Sequence, residues 1–325
     1  LYSSPVLDGL HTFHAVRGDG AQQWEVHHAL GCMELKRGSL VDARAHLERA
    51  VALYDSAPAA DAFRHSGHDP KACALSHLAH TLWLLGHPDQ ALQRARQAVA
   101  WAEQLENAFS RALAQTSLSL VHLLRREAGA ARAVAEAALA LAEEQGCPHF
   151  AALAIMLRGW AVTVQGEADD GLEQLRHGLS VCEAIGVGRT EYLVLFADAC
   201  LRSGRPDAAG AVLDEAEHAV AVGGEHYLDA ELLRLRAALT AEPSDAGELL
   251  RAARRRAAGQ SAGGLDLRIA CQLAAWHRAH GQVAEARVIL APLIDGLTEG
   301  RDTGDVVEAR TLYAALAPRR RRRTG

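Results

Sequence analysis

The stretch LSHLAHTLWLLGHPDQALQRARQAVA, residues 75–100, decides the fold. Leu75, Leu78, Ala79, Leu82 and Leu85 fall at i, i+3, i+4, i+7 and i+10, which is one face of a helix with 3.6 residues per turn. Gly86 follows and suits the left-handed backbone that ends a helix. Beyond it Leu92, Ala95, Val99 and Ala102 make a second apolar stripe, with Gln93, Arg94, Arg96 and Gln97 turned outward. The segment is therefore a helical hairpin.

Working outward, the hairpin repeats. Glycines that follow apolar helical stretches recur at Gly38, Gly86, Gly166, Gly204 and Gly281, and Arg126 fills the place between Gly86 and Gly166. The intervals are 48, 40, 40, 38 and 77 residues, the last being two periods. A fixed period in this range marks stacked helical hairpins. Small residues keep the same rhythm, twelve and then nineteen positions after a first one. The sets are Gly31/Ala43/Ala50, Ala79/Ala91/Ala98, Ser119/Ala131/Ala138, Gly159/Gly171/Gly178 and Ala197/Ala209/Ala216; Ala274/Ala286 is completed by Leu293. Paired helices touch most closely at such points, and large side chains would force them apart.

The expected architecture is all-α: a right-handed superhelix of seven antiparallel hairpins at about 22–54, 71–105, 109–145, 149–184, 189–222, 226–258 and 264–297. A final helix over 305–317, opened by Asp305 as N-cap, covers the last hairpin. Asp69-Pro70 reads as an N-cap followed by Pro at the first helical position. Pro292 is expected to kink its helix. Residues 1–20 read as a helix left from a preceding repeat, 21–317 as the array, and 318–325 as a disordered Arg-rich tail.

Composition agrees. Half the 325 residues are apolar but only 5% are aromatic. The apolar share is dominated by Ala and Leu, which favours closely packed helices. Five of the 34 basic residues are Arg319–Arg323; the other 29 against 40 acidic residues leave the body at −11, a poor electrostatic partner for nucleic acid. The six cysteines are scattered without a CxxC pair, as in a reducing, cytoplasmic setting. No apolar run approaches the ~20 residues that span a bilayer. The chain opens without Met and reads as a piece of a longer protein.

The small-residue skeleton resembles that of tetratricopeptide (TPR) repeats. More distinctive are ARAHLERAVALYD (43–55), GHDPKACALSHLAHTLWLLGHPDQAL (67–92), LRGWAV (157–162) and EGRDTGDVVEARTL (299–312). With these the chain resembles the C-terminal repeat region of large bacterial regulators. Those regulators join a class III adenylate/guanylate cyclase domain, or another output domain, to a STAND-type ATPase and then to such repeats. The resemblance implies a sensor or regulatory arm that binds a protein partner or the ATPase core. Where that family carries Tyr or Trp, this chain has His77 and His80.

The chemistry of such a parent is not found here. There is no GxxxxGK[ST] loop to hold phosphates, and no GxSxG or HExxH. Cys73, His77 and His80 share one helical stripe, and imidazole and thiolate are zinc ligands. No fourth ligand accompanies them in sequence, so they are read as groove residues, and no metal or cofactor is expected. The adjacent His27 and His28 point about 100° apart on a helix and form a weaker pattern still.

The expected site is the concave groove lined by the first helix of each hairpin. Its apolar half carries His80, Trp83, Leu113, Leu120, Leu123, Met156 and Trp160; its charged half carries Glu191, Asp198, Arg202, Glu231, Arg234, Arg268 and Arg278. A protein partner in an open groove is one reading, and a small molecule in the Trp83/Trp160 hollow is the other. Neither nucleic acid nor a membrane is expected to bind. Purified residues 1–325 should give a far-ultraviolet dichroism spectrum of helix, and should neither hydrolyse ATP nor form a cyclic nucleotide. Turnover that persists through repurification would contradict the reading.

Overall fold

The computed structural model describes residues 23–56, 69–105, 107–185 and 190–317. The expected helix over residues 5–17, most of the long connection between Asp55 and Asp69, and the arginine tail lie outside these residues. Within them the chain is helical, in fifteen segments. The seven pairs are α1 (Gln23–Arg37) with α2 (Leu40–Ser56), α3 (Pro70–Leu84) with α4 (Pro88–Ala102), α5 (Ala108–Leu124) with α6 (Ala128–Glu144), α7 (Pro148–Val164) with α8 (Ala168–Ile185), α9 (Thr190–Arg202) with α10 (Pro206–Gly223), α11 (Asp229–Leu239) with α12 (Pro243–Gly259), and α13 (Gly263–Ala279) with α14 (Val283–Asp295). α15 (Gly304–Ala315) packs on the last pair. The architecture is the TPR-like solenoid that the periodicity predicts. Among the described residues, no helix is long and apolar enough to cross a membrane.

The repeat registers have physical causes. Gly86 has φ 92°, and Arg126, which takes the equivalent place, has φ 63°. A non-glycine residue there costs about 1–3 kcal/mol of strain. Arg126 has an offsetting use, because its guanidinium pairs with Asp305 (3.1 Å) and with Glu308. The small-residue positions are where helices touch. Ala79, Ala91, Ala131, Ala197 and Ala209 are fully buried, and the Ser119 hydroxyl donates to the Ala131 carbonyl of the partner helix (2.9 Å). A Cβ on Gly171 would lie 2.6 Å from the Thr163 backbone nitrogen.

Two local expectations meet different outcomes. Asp69 caps α3 as expected, accepting from Ala72 N (2.7 Å), and it also accepts from Trp101 Nε1 (2.9 Å) and the Tyr54 hydroxyl (2.6 Å). Asp305 is not the N-cap of the last helix. Thr303 takes that place, and the Asp305 carboxylate turns to Arg268 and Arg126. Two guanidiniums outbid a pair of backbone N–H groups for one carboxylate. α14 runs on through Pro292 to Asp295.

Hairpins five apart in sequence meet, so one superhelical turn takes about five hairpins and the second turn stacks on the first. His226 N of hairpin 6 donates to Lys36 O of hairpin 1 (2.7 Å), and the Lys36 ammonium pairs with Glu225 (3.2 Å). α13 of hairpin 7 sets its first residues on the C-terminal carbonyls of α3, where a Cβ on Gly263 would lie 2.8 Å from Leu85 O. The loop before α15 caps α4: the Glu299 carboxylate accepts from Gln90 N (3.2 Å), and Gly300 N donates to Asp89 (2.8 Å). The phrases GHPDQAL and EGRDTG, distinctive in sequence, thus face each other across this seam.

The close approaches predict opposite effects for two glycines. Gly171→Ala should destabilise by about 1–3 kcal/mol, since the added methyl meets backbone that cannot retreat. Gly210→Ala, inside α10 with only Leu239 Cδ1 at 3.9 Å, should stabilise by about 0.5–1 kcal/mol. Chemical denaturation of both variants checks the pair.

Candidate interaction surface along the superhelix axis

The first helices of the hairpins line the inside of the superhelix, and the expected groove residues face it or the helices beside it. The groove, however, is closed. Trp83 is 3% exposed, Met156 0% and Trp160 2%. His80, Leu120, Leu123 and Asp198 are buried too, Leu113 is half-buried and Arg202 is exposed. The expectation of an open apolar surface is corrected on this point. A turn of only five hairpins brings opposite walls together, and the residues that would line a trough become core.

Among the described residues, one hollow of about 130 Å³ is lined by Ser76, His80, Leu113, Leu120, Glu191 and Tyr192 among others. Drug-sized ligands occupy pockets of ~300–1,000 Å³, so the hollow is too small for one in this form. His80 Nε2 lies 3.2 Å from Glu191, and the His80 ring meets the fully buried Tyr227 edge-on with centroids 5.6 Å apart. Burial holds the His80 imidazole below its ordinary pKa, with Glu191 opposing. Glu191 is expected in the charged half of the groove, but its pairing with His80, like the place of Tyr227, was not legible in the sequence, because these residues come from distant hairpins.

The charged half forms one connected network. Trp160 Nε1 donates to Asp198 Oδ2 (3.0 Å), which also accepts from Arg202 Nε (2.6 Å). Arg234 bridges Asp198 (3.3 Å) and Glu231 (2.8 Å). Arg268 reaches Asp305 (2.8 Å) and Glu231 (3.5 Å), donates to the Leu124 carbonyl (3.1 Å) and stacks over the Trp83 ring at 5.0 Å. The two halves predicted from sequence are therefore not neighbours along a trough. The charged half folds back onto the apolar half.

Of the weak metal candidates, His80 separates from the other two. Seven residues along a helix place it about 10 Å above Cys73, beyond sharing one ion, and it faces the axis. Cys73 faces α1, and His77 stands between, its ring against His28 of α1 and on the lining of the same hollow.

Burial would raise the Asp198 carboxyl, but Arg202 and Arg234 outweigh it and hold the group well below the usual carboxylate range; Glu231 is lowered in the same way by Arg234 and Arg268. Depressed carboxylates contribute stability that is present above their unfolded values, ~4, and lost as pH falls towards the folded ones. The melting temperature should therefore fall as pH drops below ~4. Arg268→Met leaves Asp305 and Glu231 buried and underpaired at neutral pH, which should cost about 3–5 kcal/mol. Denaturant melts at pH 7 test this, and a variant as stable as the parent would remove the network from the list of what holds the turns together.

No family model matches the chain. An uncharacterized protein of Rhizobium meliloti (strain 1021) is 25% identical over 226 residues, 69% of this chain and 22% of that protein. The chain thus spans about a fifth of that relative's length. Among solved structures, a Rap protein complexed with competence and sporulation factor superposes with a TM-score of 0.64 at 13% identity, over 97% of this chain and 81% of that one. The Rap conjugation gene regulator of plasmid pLS20, in complex with the Phr* peptide, gives 0.63 at 10% identity over 90% and 74%. The apo form of RapI gives 0.55 at 13% over 90% and 99%. At these identities the likeness is one of fold.

Proposed function

We propose that the chain is a non-catalytic protein-interaction and regulatory module, and that it serves as the sensor arm of a multidomain signalling ATPase or nucleotide cyclase. The observation that carries this reading is the chemistry of the seam between superhelical turns. Within a turn, hairpins are joined by buried Leu and Ala. Between turns many of the contacts are ion pairs and hydrogen bonds at helix ends, as at Glu299–Gln90, Lys36–Glu225 and Arg126–Asp305. Polar contacts of this kind separate more readily than apolar ones.

Opening the seam would uncover Trp83, Leu120, Leu123, Met156 and Trp160, with Asp198 and Arg202 beside them. Aromatic and Arg side chains of that sort dominate binding energy at protein interfaces. One similar structure is a complex with competence and sporulation factor and another a complex with the Phr* peptide, and the hollow beside His80 is smaller than a drug-sized ligand needs. The four sequence phrases support the regulator as parent, and the length of the R. meliloti relative leaves room for ATPase and output domains. The partner is then the ATPase core or another protein.

Titration of residues 1–325 with the separately expressed ATPase core of the parent regulator tests the reading. Trp160→Ala should weaken association at least tenfold, about 1.4 kcal/mol. Glu299→Ala, which loosens the seam without touching the groove, should strengthen it, because less of the binding energy is spent on opening. Val288→Ala, 73% exposed on α14, is the neutral control. Trp variants that melt earlier yet bind normally per folded molecule would return these side chains to a purely structural role.

A further inference from the structure

His28 and Cys32 lie on α1, and Cys73 and His77 lie on α3, each pair four residues apart. At that spacing two side chains leave a helix on one face a turn apart, which is how a single helix supplies two ligands to one metal. α1 and α3 are the first helices of adjacent hairpins and pack together. The two pairs meet there. The ligand atoms of His28, Cys32 and His77 all lie within 4.8 Å of one another. The His28 and His77 rings are 6.3 Å apart between centroids and cross at 68°. Cys73 Sγ lies outside this 4.8 Å group, 3.5 Å from the His77 ring nitrogen Nδ1, and borders the Cys32 thiol, so it joins as a fourth ligand by a turn of its side chain.

A further contact orients one ligand. His77 Nδ1 lies 3.0 Å from the Cys73 carbonyl oxygen. A carbonyl can only accept, so in this contact Nδ1 carries the hydrogen and Nε2 keeps its lone pair. Metal-binding histidines are commonly held this way, one ring nitrogen on a backbone carbonyl and the other towards the ion.

We propose that His28, Cys32, Cys73 and His77 form a Cys2His2 site for Zn²⁺ that ties hairpin 1 to hairpin 2. Two thiolates and two imidazoles in tetrahedral array select zinc, whereas magnesium and calcium take oxygen ligands. Four protein ligands close the coordination sphere, so the site is structural rather than catalytic. Its place in the fold gives it a task. In sequence, α2 and α3 are separated by residues 57–69, the widest separation between consecutive helices among the described residues, and a wider separation in sequence costs more entropy to close. A metal bridging α1 and α3 supplies a restraint. His28, Cys32 and His77 are only partly covered, which leaves a path for the ion, and binding releases the thiol protons.

The experiment uses the full chain, stripped with a chelator under reducing conditions and titrated with Zn²⁺ alone, then with Co²⁺ as a spectroscopic stand-in. One equivalent of Zn²⁺ should bind. The Co²⁺ form should show thiolate charge-transfer absorption and the strong visible bands of a tetrahedral ion. Cys32→Ser and His77→Ala should weaken Zn²⁺ binding by at least ~100-fold, Cys73→Ser should lower the charge-transfer intensity, and Cys147→Ser should change nothing. Metal-free melting temperatures should match across the set, with Zn²⁺ raising only those of the parent and Cys147→Ser. If Cys32→Ser melts early without metal, His28→Ala decides in its place. Substoichiometric Zn²⁺, equal binding by the ligand variants, or a Cys32–Cys73 disulfide whose reduction yields no binding would overturn the site. A Co²⁺ spectrum untouched by Cys73→Ser would overturn the four-ligand set.

Discussion

Arg268 joins the two turns of the superhelix. Its guanidinium reaches Asp305 and Glu231 on the second turn, and the Leu124 carbonyl and the Trp83 ring on the first. An ion so placed is held by both walls. The close approach that this requires is set nearby, where Gly263 and Gly264 bring the start of α13 onto the last carbonyls of α3. A side chain on Gly263 or Gly264 would push the turns apart. The arrangement also sets the positive end of one helix dipole against the negative end of another, which is favourable at short range.

Two kinds of sequence information are therefore overlaid. The small residues of the repeat serve contacts between neighbouring helices and recur at every hairpin, since every hairpin has the same need. The distinctive phrases serve contacts between turns and occur once each. Arg126 belongs to both. It occupies the place where other hairpins have glycine, in the same left-handed conformation, and its side chain reaches over to α15.

Closure also explains the odd division of the inner face into apolar and charged halves. An open trough gains little from segregating them. A closed axis needs one wall to fill space and the other to satisfy its polar groups, and the Trp160–Asp198 and Trp83–Arg268 contacts join the two. The seam combines polar contacts at helix ends with apolar core shared between the turns, since Trp83 and Trp160 belong to the same buried cluster as Tyr227, Leu265 and Ile269.

The sequence by itself determined the helices, their pairing, the places where they touch and the residues that turn inward. These follow from periodicities that repeat within forty residues, so local patterning carries them; the register of Gly31, Ala43 and Ala50 is as readable as that of Ala197, Ala209 and Ala216. It also held the two i, i+4 pairs His28/Cys32 and Cys73/His77, though their juxtaposition depends on how adjacent hairpins stack. Only the tertiary structure decided that Trp83 and Trp160 are covered, that Asp305 serves Arg268 rather than its own helix, and that Glu299 caps α4. Each depends on the curvature of the whole array. That curvature is the sum of small rotations between successive hairpins, and no single repeat encodes where the chain will be five hairpins later.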